Sequence, residues 1–260
     1  MVAKIDRTGE IGYNNFGSKM IISGYRNTID IDVYFPEYDW TAKGVRYNNF
    51  KRGAVSCLYE RTVYGVGYLG EGKYKVKENG KDTRIYSTWS HMLRRCHDEN
   101  YQREKPSYKY ATICEEFHNF QNFGEWDSDN FYQIEGEKMC LDKDILIKGN
   151  KLYSPETCIF VPERINTLFI KCDDKRGNYP VGVYYHKRDK KFKAQCSVYD
   201  FEKRKSQQEQ LGYYNTPEEA FKVYKQFKEN YIKKVADEYK DKIPSKLYNA
   251  MYNYKVEITD

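Results

Sequence analysis

The chain has no apolar run approaching the roughly 20 residues that a membrane helix needs. Its start, MVAKIDRTGE, lacks the apolar stretch of a signal peptide. It has seven cysteines, an odd number, and no CxxC pair, which predicts reduced thiols in a cytoplasm rather than a disulfide framework. That spacing argues against structural zinc but leaves the question open. The expectation from these absences is a soluble intracellular protein. Aliphatic bulk is also scarce. Mean hydropathy is −0.91, and 27 Tyr and 13 Phe stand beside 44 basic residues. Such a composition suits small domains with thin cores and aromatic working surfaces.

At 260 residues the chain is longer than one typical domain requires. Charge is unevenly spread: residues 1–80 carry 12 basic and 9 acidic side chains, residues 81–170 carry 12 and 15, and residues 171–260 carry 20 and 14. A basic C-terminal region joined to an acidic middle fits a DNA-binding module attached to something else, and equally a merely solvated charged surface. The first 64 residues read as short strands. SKMIISGYR, TIDIDVYF and GVRYNNF are β-branched and aromatic, with Ile29, Ile31, Val33 and Phe35 on one face of the second. Strands this short with tight turns suggest a small SH3-like barrel. Residues 65–85 form a linker. Gly65, Gly67 and Gly70 match GxGxxG, but a hairpin-like Asn79-Gly80 follows instead of the helix a dinucleotide site needs, so no nucleotide cofactor is expected.

Residues 86–170 mix short helices with a hairpin. STWSHMLRRC places Trp89, Met92, Leu93 and Cys96 on one helical face behind Ser87 as N-cap, and ICEEFHNFQNFGEW aligns Ile113, Phe117, Phe120 and either Phe123 or Trp126. LDKDILIKGNKLYSPETC then sets two carboxylates, Asp142 and Asp144, before a turn at Gly149-Asn150 and a capped helical turn at Ser154-Pro155-Glu156. Such carboxylates can hold a divalent metal over a phosphodiester, or simply pair with nearby lysines. His91, His97 and His118 are further candidate bases, or ordinary surface and helix-packing residues.

From residue 178 to 260 the pattern is three antiparallel strands and one amphipathic helix. The helix starts at Thr216-Pro217 and carries the stripe Ala220, Phe221, Tyr224, Phe227, Tyr231 and Val235. One helix covers one sheet face, so the other stays open. Alternation sends Val183, Tyr185, Phe192, Ala194, Cys196, Val198, Leu211 and Tyr213 to the helix. Outward go Tyr184, His186, Arg188, Lys191, Lys193, Gln195, Ser197, Gln208 and Gln210, with Lys203, Arg204 and Lys205 in a basic loop. Donors, cations and an aromatic without a carboxylate suit the DNA major groove.

GVYYHKRDKKFKAQC and LGYYNTPEEAFKVY resemble the Apetala/ethylene-response-factor DNA-binding domain over about residues 178–235. WSHMLRRC, ICEEF and LDKDILIKGNKLYSPETC resemble the phage HNH-like homing-endonuclease family over roughly residues 86–166. The fold implied is α+β and multidomain: a barrel-like N-terminal module, a degenerate ββα-metal middle and an Apetala-type C-terminal domain. Asp142 and Asp144 then ligate Mg2+ or Mn2+, with Asn150 and Glu156 as further oxygens, and Lys143 occupies the place of the usual histidine base. A lysine cannot accept water's proton unless desolvated, but it can hold a phosphate. The order Asp-Lys-Asp-Ile, against the family's Asp-Arg-Ile-Asp, sets the second carboxylate on the other strand face. Double-stranded DNA is the expected partner, with a protein partner at the N-terminal module left open. The expected setting is the cytoplasm of a bacterial host, the protein being phage-encoded or prophage-derived. Two functions remain: a DNA-docking nickase, or an inactive DNA-binding regulator or inhibitor of a host defence system.

Overall fold

The computed structural model describes residues 5–170, 179–200 and 205–258. It is a mixed α+β structure in two compact units, Met1–Phe131 with Lys151–Glu156 and Tyr132–Asn150 with Thr157–Asp260. Alternation builds the first sheet. Strands β1 (Ile11–Tyr13), β2 (Lys19–Asn27), β3 (Asp30–Phe35) and β4 (Trp40–Val45) pair antiparallel in sequence order. Ile31, Val33 and Phe35 of β3 are buried with Met20 and Ile22 of β2, whereas Ile29 lies outside the strand and is exposed. The segment expected as a third strand, GVRYNNF, divides. Its first residues end β4, and Tyr47–Lys51 form helix α1, which seats Phe50 in the same core. Local β propensity yields there to the closing of that core.

Strands β5 (Lys77–Glu78) and β6 (Lys81–Asp82) form the hairpin at Asn79-Gly80, both with positive φ as the tight turn demands. Helix α2 (Arg84–His97) starts a turn earlier than Ser87, because the Thr83 hydroxyl accepts from the Tyr86 amide at 3.2 Å. It buries Trp89, Met92, Leu93 and Cys96, the expected face. A Cβ at Gly67 would lie 2.4 Å from Leu93 and 2.9 Å from Trp89, so this glycine permits close approach of the loop to α2. Helix α3 (Glu99–Glu104), strand β7 (Thr112–Ile113) and helix α4 (Phe120–Asn130) complete this run. Phe123 and Trp126 are both buried.

In the second unit, β8 (Met139–Asp142) leads into a long loop. The Lys151–Glu156 segment that follows belongs to the first unit, where its β9 (Leu152–Tyr153) pairs in parallel with β7. Strand β10 (Ile159–Pro162) returns antiparallel to β8, and helix α5 (Glu163–Leu168) follows directly. Ser154-Pro155-Glu156 is a turn rather than the start of a helix. The C-terminal sheet runs β11 (Val183–His186), β12 (Lys191–Asp200), β13 (Lys205–Tyr214), all antiparallel. Helix α6 (Pro217–Tyr239) starts with a reciprocal capping box between Thr216 and Glu219, and α7 (Ser245–Tyr252) closes the fold.

One helix serves two cores. The first half of α6 places Ala220, Phe221 and Tyr224 on the sheet with Val183, Ala194 and Cys196. Its second half places Ile232, Val235, Ala236 and Tyr239 against Ile159, Val161, Ile165 and Leu168 of the β8–β10–α5 segment. A fragment starting at residue 179 therefore strips the partners from four buried positions. It is expected to unfold at lower urea than a fragment starting at residue 132. In the full chain, Ile232→Ala should cost about 2–5 kcal/mol. Equal midpoints for the two fragments by circular dichroism would refute the shared core.

Candidate nucleic-acid interface

Pairing register assigns the open face of the C-terminal sheet. Tyr184 lies opposite Lys193, which lies opposite Tyr213; His186 faces Lys191, Gln195 faces Gln210, and Ser197 faces Gln208. This rank holds no carboxylate among its strand residues, and Glu209 lies opposite Cys196 on the other side. Tyr213 is a correction. Alternation sent it to the helix, but a bulge opposite Ala194-Gln195 leaves Leu211 unpaired and resets the strand. Tyr214 and Leu211 pack on the core, and the Tyr213 ring stands 5.2 Å from that of His186. Bulges have no composition signature, so this contact was not legible beforehand.

Ten residues of β12 span about 33 Å. Tyr184 is 45% exposed, Lys191 and Ser197 are exposed, and Lys193 and Gln195 are half-buried. Arg188 belongs to the β11–β12 turn, with its side chain 91% exposed and 3.9 Å from Asp189. His186 Nδ1 lies 3.2 Å from the same carboxylate. Lys205 is exposed opposite Asp200. Lys203 and Arg204 lie outside the described residues.

The structure brings Asp142, Lys143, Asp144 and Asn150 together in one turn. Asp142 ends β8, and its Oδ1 accepts from the amides of Asp144 and Ile145, each at 2.8 Å. The strand thus stops before Asp144, so the expected placement of the second carboxylate on the opposite strand face does not arise. The two carboxylates repel instead: burial, then Asp144, pushes Asp142 up to about 6. Lys143 is 5% exposed, with Nζ 3.4 Å from Asp144 Oδ2. Asn150 Nδ2 donates to the Lys143 carbonyl at 2.7 Å, which ties the loop to the turn. Glu156 is exposed in the other compact unit, where it accepts from Ser154 Oγ at 2.7 Å. No group of three or more His, Cys, Asp or Glu able to hold a metal occurs among the described residues. Two mutually repelling carboxylates still fit a cation such as magnesium, which keeps most of its waters and uses few protein ligands.

The histidines treated separately in sequence are partly neighbours. The rings of His97 and His118 stand 6.5 Å apart, edge to face, and Arg61 Nη1 lies 3.4 Å from His118 Nδ1. Burial holds both imidazoles below their usual range, and for His118 the nearby Arg61 adds to it. His91 is exposed on α2. Among the described residues no helix is long and apolar enough to cross a membrane.

No protein-family profile matches the chain, nor does any curated protein or solved structure.

The elevated Asp142 has a signed consequence for stability. Folded protein retains this proton to higher pH than unfolded chain, so stability falls as pH rises from 3.8 to about 6. The loss is on the order of 3 kcal/mol at about 1.36 kcal/mol per unit. Asp142→Asn keeps an oxygen acceptor for both amides and should flatten this part of the pH–stability curve. Magnesium should restore wild-type stability at neutral pH and leave the variant unmoved. Urea titrations at several pH values, with and without the ion, measure both.

Proposed function

We propose that the chain is a duplex-DNA-binding protein of the homing-endonuclease type, docking through the open face of its C-terminal sheet. The observation that carries this reading is the strand face itself: lysine, glutamine, serine, tyrosine and histidine in register, with no acid on its paired strand positions and Asp189 of the adjoining turn beside His186. Solvated faces normally interleave both signs of charge. A face of donors matches phosphates and the acceptor edges of the major groove. On this reading the module is of the Apetala type and the four-stranded N-terminal sheet an SH3-like barrel. The order β8, β10, α5 supports a degenerate ββα nuclease segment.

In that segment a divalent cation, held by Asp142 and Asp144, would supply charge stabilisation to a phosphodiester undergoing cleavage. The chain's own contributions are distinct. The β12 and β13 side chains bind and orient the duplex, Asp142 holds the turn, and Asn150 ties down the loop. Lys143 is buried beside Asp144, which favours a role in neutralising the carboxylate pair over one in accepting a proton from water. The same burial favours the second reading, an inactive DNA-binding regulator or inhibitor of a host defence system. A phage-derived protein acting in the host cytoplasm suits either role.

Replacing Arg188, Lys191 and Lys193 together with glutamine should weaken duplex binding and lower its salt dependence, by roughly 0.9 in the slope for each lost phosphate contact. An unchanged slope in the folded variant would overturn the docking face. Nicking of supercoiled plasmid with magnesium or manganese decides between the two readings. Asp142→Ala should abolish cleavage and leave binding intact, since the metal acts on the transition state. No cleavage by the wild type with either ion would leave the regulator.

A further inference from the structure

Among the described residues, the first compact unit contains a half-buried arginine that pairs with phenols and with no carboxylate. Four arginines among the described residues are half-buried: Arg7, Arg94, Arg95 and Arg164. Three of them hold a carboxylate, Glu10 at 3.4 Å, Asp98 at 3.3 Å and Glu238 at 2.8 Å. Arg95 holds none. Its guanidinium lies 5.4 Å from the centre of the Tyr108 ring, and Nη1 donates to the Tyr153 hydroxyl at 3.3 Å. The backbone beneath it is pinned, because Gln102 Nε2 donates to the carbonyls of Arg95 and Cys96 at 3.1 and 2.7 Å. Burial works against the charge, and the surrounding phenols, Tyr153, Tyr108 and Tyr101, more than offset it, so the guanidinium stays charged among aromatic oxygens.

The end of α2 contributes partial negative charge, but a guanidinium carries five donors, and one phenol oxygen accepts from it here. In the stretch that follows Arg95, Arg103, Lys105 and Lys109 are exposed. The acids of this stretch are Asp98, taken by Arg94, and the exposed Glu99 and Glu104. A planar fork with donors beyond the one that Tyr153 accepts, framed by phenols, suits a tetrahedral oxyanion.

We propose that Arg95, framed by Tyr108 and Tyr153, is a seat for a backbone phosphate of duplex DNA, a second contact in addition to the C-terminal sheet. The proposal rests on the DNA-binding reading above, and its test separates the two. Full-length wild type, Arg95→Met and Arg95→Lys are titrated into a fluorescent duplex between 50 and 200 mM salt, on the order used to read counterion release. Their melting temperatures are also measured in sodium phosphate and in sodium chloride of equal ionic strength.

Arg95→Met should bind about tenfold more weakly, as the loss of one charge-assisted contact predicts, and its salt slope should fall by about 0.9. Arg95→Lys should keep the slope and lose part of the affinity. Phosphate should raise the melting temperature of the wild type and not that of Arg95→Met. A folded Arg95→Met with wild-type affinity and slope overturns the proposal. If Arg95→Met does not fold, wild-type melting unmoved by phosphate overturns it instead. Stabilisation by phosphate with unaltered DNA binding also overturns it, in favour of a free phosphate or nucleotide ligand. Should the wild type bind no duplex, the DNA-binding reading fails and the backbone assignment of this seat fails with it. A lost phosphate effect in Arg95→Met would then identify a free-phosphate seat.

Discussion

The second compact unit depends on α6 being long enough to bury two different faces. Its first three turns cover the sheet, and its last three close over β8, β10 and α5. Each core is small, and neither the three-stranded sheet nor the two-stranded β8–β10 pair has apolar surface enough to stand easily without the helix. Because the helix packs on one sheet face, around Val183, Ala194 and Cys196, the opposite face is committed to solvent or to a ligand. The layout of the candidate DNA-contacting side chains follows from that single constraint.

The turn after β8 shows a second principle, the cost of assembling like charges. Asp142 is held by two backbone amides, and Asp144 is close enough to raise its proton affinity further. Lys143 offsets part of this repulsion from a position almost sealed from water. A turn needed merely for chain reversal has no reason to gather two acids beside a buried amine. The arrangement therefore loses stability as Asp142 gives up its proton, and the pH dependence of folding reads that repulsion directly.

Charge compensation also distinguishes residues that composition treats alike. Arg94 and Arg95 are adjacent in sequence, yet Arg94 lies over Tyr101 with Asp98 as its partner, while Arg95 turns to Tyr108 and Tyr153. A helix presents successive residues about 100° apart, so neighbours meet different surroundings. His97 and His118 illustrate the reverse, two residues remote in sequence whose rings the fold makes neighbours.

By itself the sequence determined what local periodicity and capping can encode. Trp89, Met92, Leu93 and Cys96 formed the buried face of α2, Thr216 capped α6, Asn79-Gly80 made a hairpin, and three strands with a helix ended the chain. Each depends on residues within a turn or two of one another. Tertiary structure decided the rest. It turned Tyr47–Lys51 into a helix, moved Tyr213 to the open face through a bulge, recruited Ile232, Ala236 and Tyr239 into a second core, and set Arg95 between two phenols. Those outcomes depend on pairing and burial between segments far apart in the chain, and a residue's own neighbours in sequence carry no record of them.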